Sequence, residues 1–147
     1  MVKRKSLKEI YGLEEDTSGF SSSLVLWYNK LIQKTYDDLD EKDVSIMVRQ
    51  SILPELAMDK AIEILLKNPF SGDFWDGDLL CTIAKSMSSF DVARGNNHGK
   101  LLLIRRKSKE GISEFEWANE ESKNDFSDSL KKLDYLLDNR AVSHRNP

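Results

Sequence analysis

The segment from Pro54 to Lys67 constrains the fold more than any other part of the chain. Its five charged residues fall within about 140° of helix circumference at 100° per residue. These residues are Glu55, Asp59, Lys60, Glu63 and Lys67. The other positions are mostly apolar and cover most of the helix surface, which predicts a helix packed on several sides. Pro54 suits a first helical turn and Asn68 before Pro69 favours extended backbone, so we predict a central helix between them.

Four further segments carry apolar residues at helical spacing. Their apolar positions are Leu24, Trp27, Tyr28 and Leu31; Val44, Met47 and Val48; Leu79, Leu80, Ile83, Ala84 and Met87; and Phe126, Leu130, Leu133 and Leu137. The expected N-terminal caps are one of Ser21 to Ser23, then Asp40 or Asp43, then Asp76. The last helix is expected from about Ser122 to Asp138. The 147 residues suit one domain, so we predict an all-α fold in a single compact multi-helix domain over residues 1–147.

The segment 90–118 leaves two structures open. Residues Leu101–Arg106 and Ile112–Trp117 fit the two strands of a small β-hairpin after residue 98. The same region also fits a helix over Gly99–Lys109 that ends at Gly111. We favour the helix, and a mostly α fold with one hairpin is the alternative.

Composition excludes several classes of function. The net charge of −3 argues against direct binding to nucleic acid, which requires a basic face. Apolar runs of about five residues are far shorter than the roughly 20 that span a membrane. The basic start Lys3–Lys5 lacks the apolar segment of an export signal. The single cysteine, Cys81, allows no internal disulfide, and we expect a cytoplasmic protein that contacts no membrane.

The sequence contains no convincing catalytic or metal site. The histidines His98 and His144 have no orienting partner nearby, and with Cys81 they do not match a zinc spacing. Residues Gly95–Leu101 resemble a phosphate-binding loop, but the loop is one residue short and Leu101 replaces the hydroxyl residue that would bind magnesium. We interpret this stretch as a flexible connection. The prediction is a protein that is not an enzyme and binds no cofactor or metal.

Three aspartates lie near Trp75 in the sequence, as the ligands of a calcium site or the members of a catalytic carboxylate pair would. Asp73, Asp76 and Asp78 do not match the spacing of a calcium loop. We interpret them as helix-capping residues beside a packed Trp75. An enzyme centred on the three carboxylates is the weaker hypothesis.

Charged residues are concentrated in three groups. Five carboxylates stand against one lysine in the first group, and the other two groups are acidic and basic. The first group is Asp37, Asp38, Asp40, Glu41 and Asp43 around Lys42; the second is Glu114, Glu116, Glu120 and Glu121; the third is Arg105, Arg106, Lys107 and Lys109. Each group can be a solvated face, with helix capping and helix dipoles explaining some of the carboxylates. The functional alternative is that the acidic groups form a patch that attracts a basic protein.

The middle of the chain resembles the immunity proteins of bacterial contact-dependent growth inhibition (CDI) systems. The similar stretches are DVSIMVRQ at residues 43–50, LPELAMDKAIEILL at 53–66 and KNPFSGDFWDGDLL at 67–80. The family pattern has an acidic-led helix that ends in Arg-x-Gln, an apolar helix, and Asn-Pro-Leu-Ala before Gly-Asp-x-Tyr-x-Gly-Asp-Leu-Leu. Phe70 and Ser71 replace its Leu-Ala, and Trp75 replaces its Tyr. The resemblance covers roughly residues 20–85.

This resemblance implies a helical bacterial protein that stays in the cytoplasm and binds the C-terminal toxin domain of its own system's effector. It implies inhibition by one-to-one binding, and a nuclease toxin with a basic cleft would suit an acidic inhibitor. From the charge pattern we expect toxin contact at Glu114, Glu116, Glu120 and Glu121 around an aromatic anchor, Trp117. A helical adaptor that binds another macromolecule through Arg105, Arg106 and Lys107 is the alternative function.

Overall fold

The computed structural model describes residues 5–17 and 22–145, with side chains described as far as residue 138. Within these residues it contains eight α-helices, a short 3-10 helix and no strand. The α-helices are α1 (Leu7–Tyr11), α2 (Ser23–Leu31), α3 (Glu41–Gln50), α4 (Pro54–Lys67), α5 (Asp78–Ser86), α6 (Ser89–Ala93), α7 (Asn97–Gly111) and α8 (Glu120–Arg145). The 3-10 helix spans Tyr36–Asp38. The predicted all-α fold is confirmed.

Helix α4 is central, as its charge pattern predicts. It packs against α3, α5 and α7, and Ala57, Ala61 and Leu65 on it are completely buried. Its bounds match the prediction because Pro54 occupies the first turn and Asn68 is extended after it. Leu53, just before Pro54, adopts a left-handed backbone conformation with φ of 45°.

Two charged residues in α4 interrupt its apolar surface, and each has a partner that explains it. The Asp59 carboxylate accepts a hydrogen bond from Arg94 at 2.6 Å. Lys60 is buried, its ammonium group lies 4.6 Å from the centre of the Tyr36 ring, and it forms an ion pair with Glu63 at 3.6 Å. Both charges therefore connect α4 to neighbouring parts of the chain.

Helix α8 covers the opposite side of the core. It packs against α5, α6 and α7, while α5 and α7 also contact α4. Its apolar stripe is buried as predicted, with Phe126 and Leu133 fully inaccessible. The helix starts at Glu120, two residues before the predicted start, and continues to Arg145.

The segment after α6 is helical, so the hairpin alternative is wrong. Leu101–Arg106 lies inside α7, which packs against α4 and α8. Apolar contacts on two sides favour a helix over a strand pair here, because Leu101 and Ile104 are both fully buried at helical spacing. Residues 112–117, the predicted second strand, form turns and a loop.

The interpretation of Gly95–Leu101 as a flexible connection is also wrong, because α7 begins within it at Asn97. Asn97 is buried, and its side-chain amide donates to the backbone oxygen of Asp91 at 2.9 Å. The preceding Arg94 forms ion pairs with Asp59 at 2.6 Å and with Asp91 at 3.0 Å. Side-chain bonds thus fix this connection to α4 and α6.

Candidate partner-binding surface

A tightly bonded loop, residues 70–77, connects α4 to α5, and we call it the aromatic loop. Its conformation depends on Asp78, the first residue of α5, whose carboxylate is buried. That carboxylate accepts hydrogen bonds from the backbone N–H groups of Asp73 at 2.7 Å, Phe74 at 2.9 Å and Trp75 at 3.2 Å. Three bonds to one charged acceptor hold the middle of the loop in a single shape.

Glycines allow the backbone of the aromatic loop to close on itself. A side chain at Gly72 would place its Cβ 1.9 Å from the carbonyl oxygen of Trp75, so only glycine fits. Gly77 has a left-handed φ of 84° and donates its N–H to the Phe70 carbonyl at 2.7 Å. Gly77 is also the N-cap residue of α5, so the predicted cap at Asp76 is wrong.

The aromatic loop exposes two large rings. Phe74 is 70% exposed and Trp75 is 46% exposed, with their ring centroids 6.4 Å apart. The interpretation of Trp75 as a packed residue is therefore wrong. The Arg49 guanidinium lies 5.6 Å from the centre of the Phe74 ring, at a distance typical of a cation–π contact.

Four other rings, one of them from this loop, form a cluster that we call the aromatic cluster. Its members are Phe70, Phe115, Trp117 and Phe126. Phe70 stacks on Phe115 with centroids 4.5 Å apart, and Trp117 lies 5.2 Å from Phe126. Because Phe70 belongs to the aromatic loop, the cluster joins that loop to the segment that precedes α8.

That segment, residues 112–121, carries the predicted contact residues, and we call it the acidic segment. Glu114, Glu116, Glu120 and Glu121 are all exposed. Trp117 is half-buried in the aromatic cluster, and its indole N–H donates to the Ile112 carbonyl at 2.9 Å. The structure therefore displays the four carboxylates along one segment, whereas Trp117 mainly holds that segment to the core.

The start of α8 lies within the acidic segment and is formed by its polar residues. The Asn119 side-chain oxygen accepts the backbone N–H of Ser122 at 2.8 Å, which satisfies one of the free donors of a helix start. Glu120 and Glu121 occupy the first turn, where the helix dipole favours negative charge. These two carboxylates thus also stabilise the helix on which they are displayed.

The first acidic group is partly structural, because Asp43 is buried in the core. Its carboxylate accepts hydrogen bonds from the Trp27 indole at 3.0 Å and from the Lys34 ammonium group at 2.6 Å. Burial opposes the charged form, but the bonds from Lys34 and Trp27 outweigh it and hold the pKa of Asp43 below its ordinary value. Asp43 also completes a capping box with Asp40 at the start of α3.

Three other members of this group, Asp37, Asp40 and Glu41, border a groove of about 400 Å³ beside α4. Its charged lining residues are Asp37, Asp40, Glu41, Lys60, Glu63 and Lys67. At its edge the Tyr36 hydroxyl donates to Glu63 at 3.0 Å, and burial together with this bond raises the pKa of Tyr36 far above its ordinary value. Lys60 and Lys67 offset part of the acidic charge in this groove, whereas the acidic segment contains no lysine.

The basic group on α7 is used largely within the molecule. Arg105 forms ion pairs with Asp134 and Asp138, each at 3.2 Å. The Lys107 ammonium group donates to the Leu66 carbonyl at 2.7 Å, and Lys109 pairs with Asp134 at 2.9 Å. These contacts attach α7 to α4 and α8 and leave less free positive charge than the sequence indicates.

Among the residues that the structure describes, no three His, Cys, Asp or Glu side chains are grouped so that they could hold a metal ion. His98 is half-buried on α7, and His144 lies outside the described side chains. No described helix has both the length and the apolar character needed to cross a membrane.

Comparison with known proteins supports the resemblance seen in the sequence. A family model described as CDI immunity proteins matches residues 9–97, which is more than half of the chain. No curated protein matches the chain. The matched region includes the whole aromatic loop and ends at Asn97, before the acidic segment.

Proposed function

Since the chain belongs to the family of CDI immunity proteins, we propose that it binds the C-terminal toxin domain of its own CDI effector and neutralises it. Inhibition is by one-to-one binding in the bacterial cytoplasm, without catalysis. The toxin is a nuclease, so its active cleft must attract phosphate groups and carry positive charge. The inhibitor itself contacts neither nucleic acid nor a membrane.

The observation that carries this proposal is the display of four exposed carboxylates on the acidic segment. Glu114, Glu116, Glu120 and Glu121 lie within eight residues of one another and are all accessible. A row of carboxylates can occupy a cleft that normally binds phosphates, and opposite charges accelerate the encounter of two proteins. We therefore assign the acidic segment as the surface that enters the toxin cleft.

Trp117 contributes to this surface through its position. Its ring packs against Phe126 and its indole N–H is already bonded to the Ile112 carbonyl, so the residue supports the flanking carboxylates. A fixed segment loses little conformational freedom on binding, which increases affinity. The exposed part of the indole remains available for contact with the toxin.

The alternative function, an adaptor that binds through the basic group, gains no support from the geometry. Arg105 and Lys109 share Asp134, Lys107 is bonded to the α4 backbone, and Arg106 pairs with Glu110 of α7 at 4.0 Å. A partner would have to replace these internal contacts before it could use those charges. The acidic segment requires no such exchange.

The test is calorimetric titration of this chain with the toxin domain encoded beside it, at low and at physiological salt. We expect one-to-one binding that weakens as salt rises, because salt screens exposed charges. The double variant Glu114→Lys, Glu116→Lys should bind more than about tenfold more weakly at low salt.

The matched control is Glu14→Lys, Glu55→Lys, which makes the same change of net charge at two exposed sites elsewhere. Equal binding by the two double variants would remove the acidic segment from the interface. Absence of any binding by the unmodified chain would refute the immunity function.

A further inference from the structure

The aromatic loop presents exposed aromatic surface on a backbone that is already fixed. Phe74 is the most exposed large apolar side chain described and Trp75 is 46% exposed, yet their own N–H groups are bonded to the Asp78 carboxylate. Rigid, exposed aromatic side chains are the residues that most often dominate protein interfaces.

Two grooves on the surface of α5 meet at Trp75 and its neighbours. One groove has a volume of about 190 Å³ and the other about 330 Å³. Cys81 and Lys85 line both grooves together with Trp75, so these three residues form the boundary between them. A partner segment placed in either groove would contact Trp75.

The smaller groove is positively charged, opposite in sign to the acidic segment. Arg49 and Lys85 line it and both are exposed. Its one carboxylate, Asp78, is buried and already accepts three backbone N–H groups. A carboxylate on a partner would therefore find two cations beside the exposed rings.

We propose that the aromatic loop is a second contact surface for the toxin domain and receives a toxin segment with apolar side chains next to a carboxylate. This inference rests on the proposed immunity function. The apolar side chains pack on Phe74 and Trp75, and the carboxylate pairs with Arg49 and Lys85. Because the Asp78 bonds fix the loop beforehand, binding loses little conformational entropy there.

The position of the loop supports this assignment. The aromatic cluster connects it to the acidic segment, since Phe70 of the loop contacts Phe115 and Trp117. A Cβ at Gly77 would also contact Phe126 at 2.7 Å. The two segments are therefore in contact through these rings, and protein interfaces use apolar anchors together with charged residues.

The first test compares Phe74→Ala and Trp75→Ala with Tyr135→Ala in titrations with the toxin domain encoded beside this chain. Tyr135 is a suitable control because it is 67% exposed and lies on α8. We expect each loop variant to bind about a hundredfold more weakly and the control to bind within about threefold of the unmodified chain. Thermal unfolding should show that all three variants remain folded.

The second test concerns the charge of the toxin segment. Arg49→Glu should weaken binding more than about tenfold, whereas Arg106→Glu, at an exposed site on α7, should change it less than about threefold. Equal effects of the two reversals would refute the carboxylate partner.

The outcomes separate this inference from the function on which it rests. If the unmodified chain binds the toxin and the Phe74 and Trp75 variants bind as Tyr135→Ala does, the second surface is refuted and the immunity function stands. If the unmodified chain does not bind, both are refuted.

Discussion

Gly72 lies so close to Trp75 that a Cβ on the glycine would be 1.9 Å from the tryptophan carbonyl oxygen. The same Cβ would be 2.7 Å from a carboxylate oxygen of Asp78. The aromatic loop can therefore close only around a residue without a side chain. The carboxylate that holds the loop and the glycine that permits its shape are parts of one arrangement.

Gly72→Ala should disrupt the aromatic loop. The backbone oxygen of Trp75 cannot move without breaking the loop's own bonds, so we expect a loss of about 1–3 kcal/mol in the free energy of unfolding. Gly99→Ala is the control, because nothing lies within 4 Å of its Cβ in α7, and it should stabilise the protein by roughly 0.5–1 kcal/mol. Urea unfolding of both variants measures the difference. Equal stability of the two variants would contradict the described close approach.

Asp78→Asn should destabilise the same loop through its hydrogen bonds. An amide has one acceptor oxygen and carries no charge, so it cannot replace a carboxylate that accepts from three N–H groups. We expect a loss of about 2 kcal/mol in the free energy of unfolding. Asp76→Asn, at the exposed neighbouring aspartate, should change it by less than about 0.5 kcal/mol. Denaturant titration measures both changes, and a similar loss in both variants would count against the role of Asp78 in holding the aromatic loop.

Asp43 should make the stability of the protein depend on pH in the acidic range. Its pKa is lowered in the folded state relative to the ordinary value of 3.8, so the unfolded chain takes up a proton first as the pH falls. The stabilisation that the charged Asp43 gives the folded protein is complete well above pH 3.8. It decreases as the pH falls through that value towards the pKa of Asp43 in the folded state. Asp43→Asn should flatten this decrease in urea unfolding measured between about pH 3 and pH 6. An unchanged pH profile in the variant would show that other carboxylates cause the effect.

Ser108→Ala should not destabilise the protein. The Ser108 hydroxyl is fully buried in α7 and has no hydrogen-bond partner among the described residues. Removing a buried polar group without a partner should raise the free energy of unfolding by up to about 1 kcal/mol. Ser129→Ala is the comparison, because that hydroxyl donates to the Asp125 carbonyl at 3.0 Å and its removal should bring no gain. A clear loss of stability in Ser108→Ala would indicate a hydrogen bond that the structure does not contain.

Parts of the fold with regular periodicity were predictable from the sequence. The narrow charged stripe of α4 and its proline and asparagine boundaries predict both its central position and its limits. The five-residue helices α1 and α6 were not predicted, because they are too short for a periodic pattern. Their capping boxes, Ser6 with Glu9 and Ser88 with Asp91, are the sequence signals that could have revealed them.

The candidate surface was harder to predict because exposure depends on contacts between distant residues. An aromatic residue such as Trp75 is usually assigned to the core, whereas here it lies 46% exposed on a loop whose backbone is bonded to Asp78. Asp43 shows the reverse case, since a residue in an acidic run is buried against Trp27, sixteen positions away. Exposure of the glutamates in the acidic segment agrees with their charge, whereas the packing of Trp117 on Phe70 requires the folded chain.

The aromatic cluster makes the aromatic loop and the acidic segment thermodynamically dependent on each other. Phe70 belongs to the first and contacts Phe115 and Trp117 of the second, so a shift in either backbone moves the shared support of both. Energies of substitutions at sites that share contacts are generally not additive. A change of toxin specificity would then require paired substitutions, because a mutation that adapts one loop alone also alters the geometry of the other.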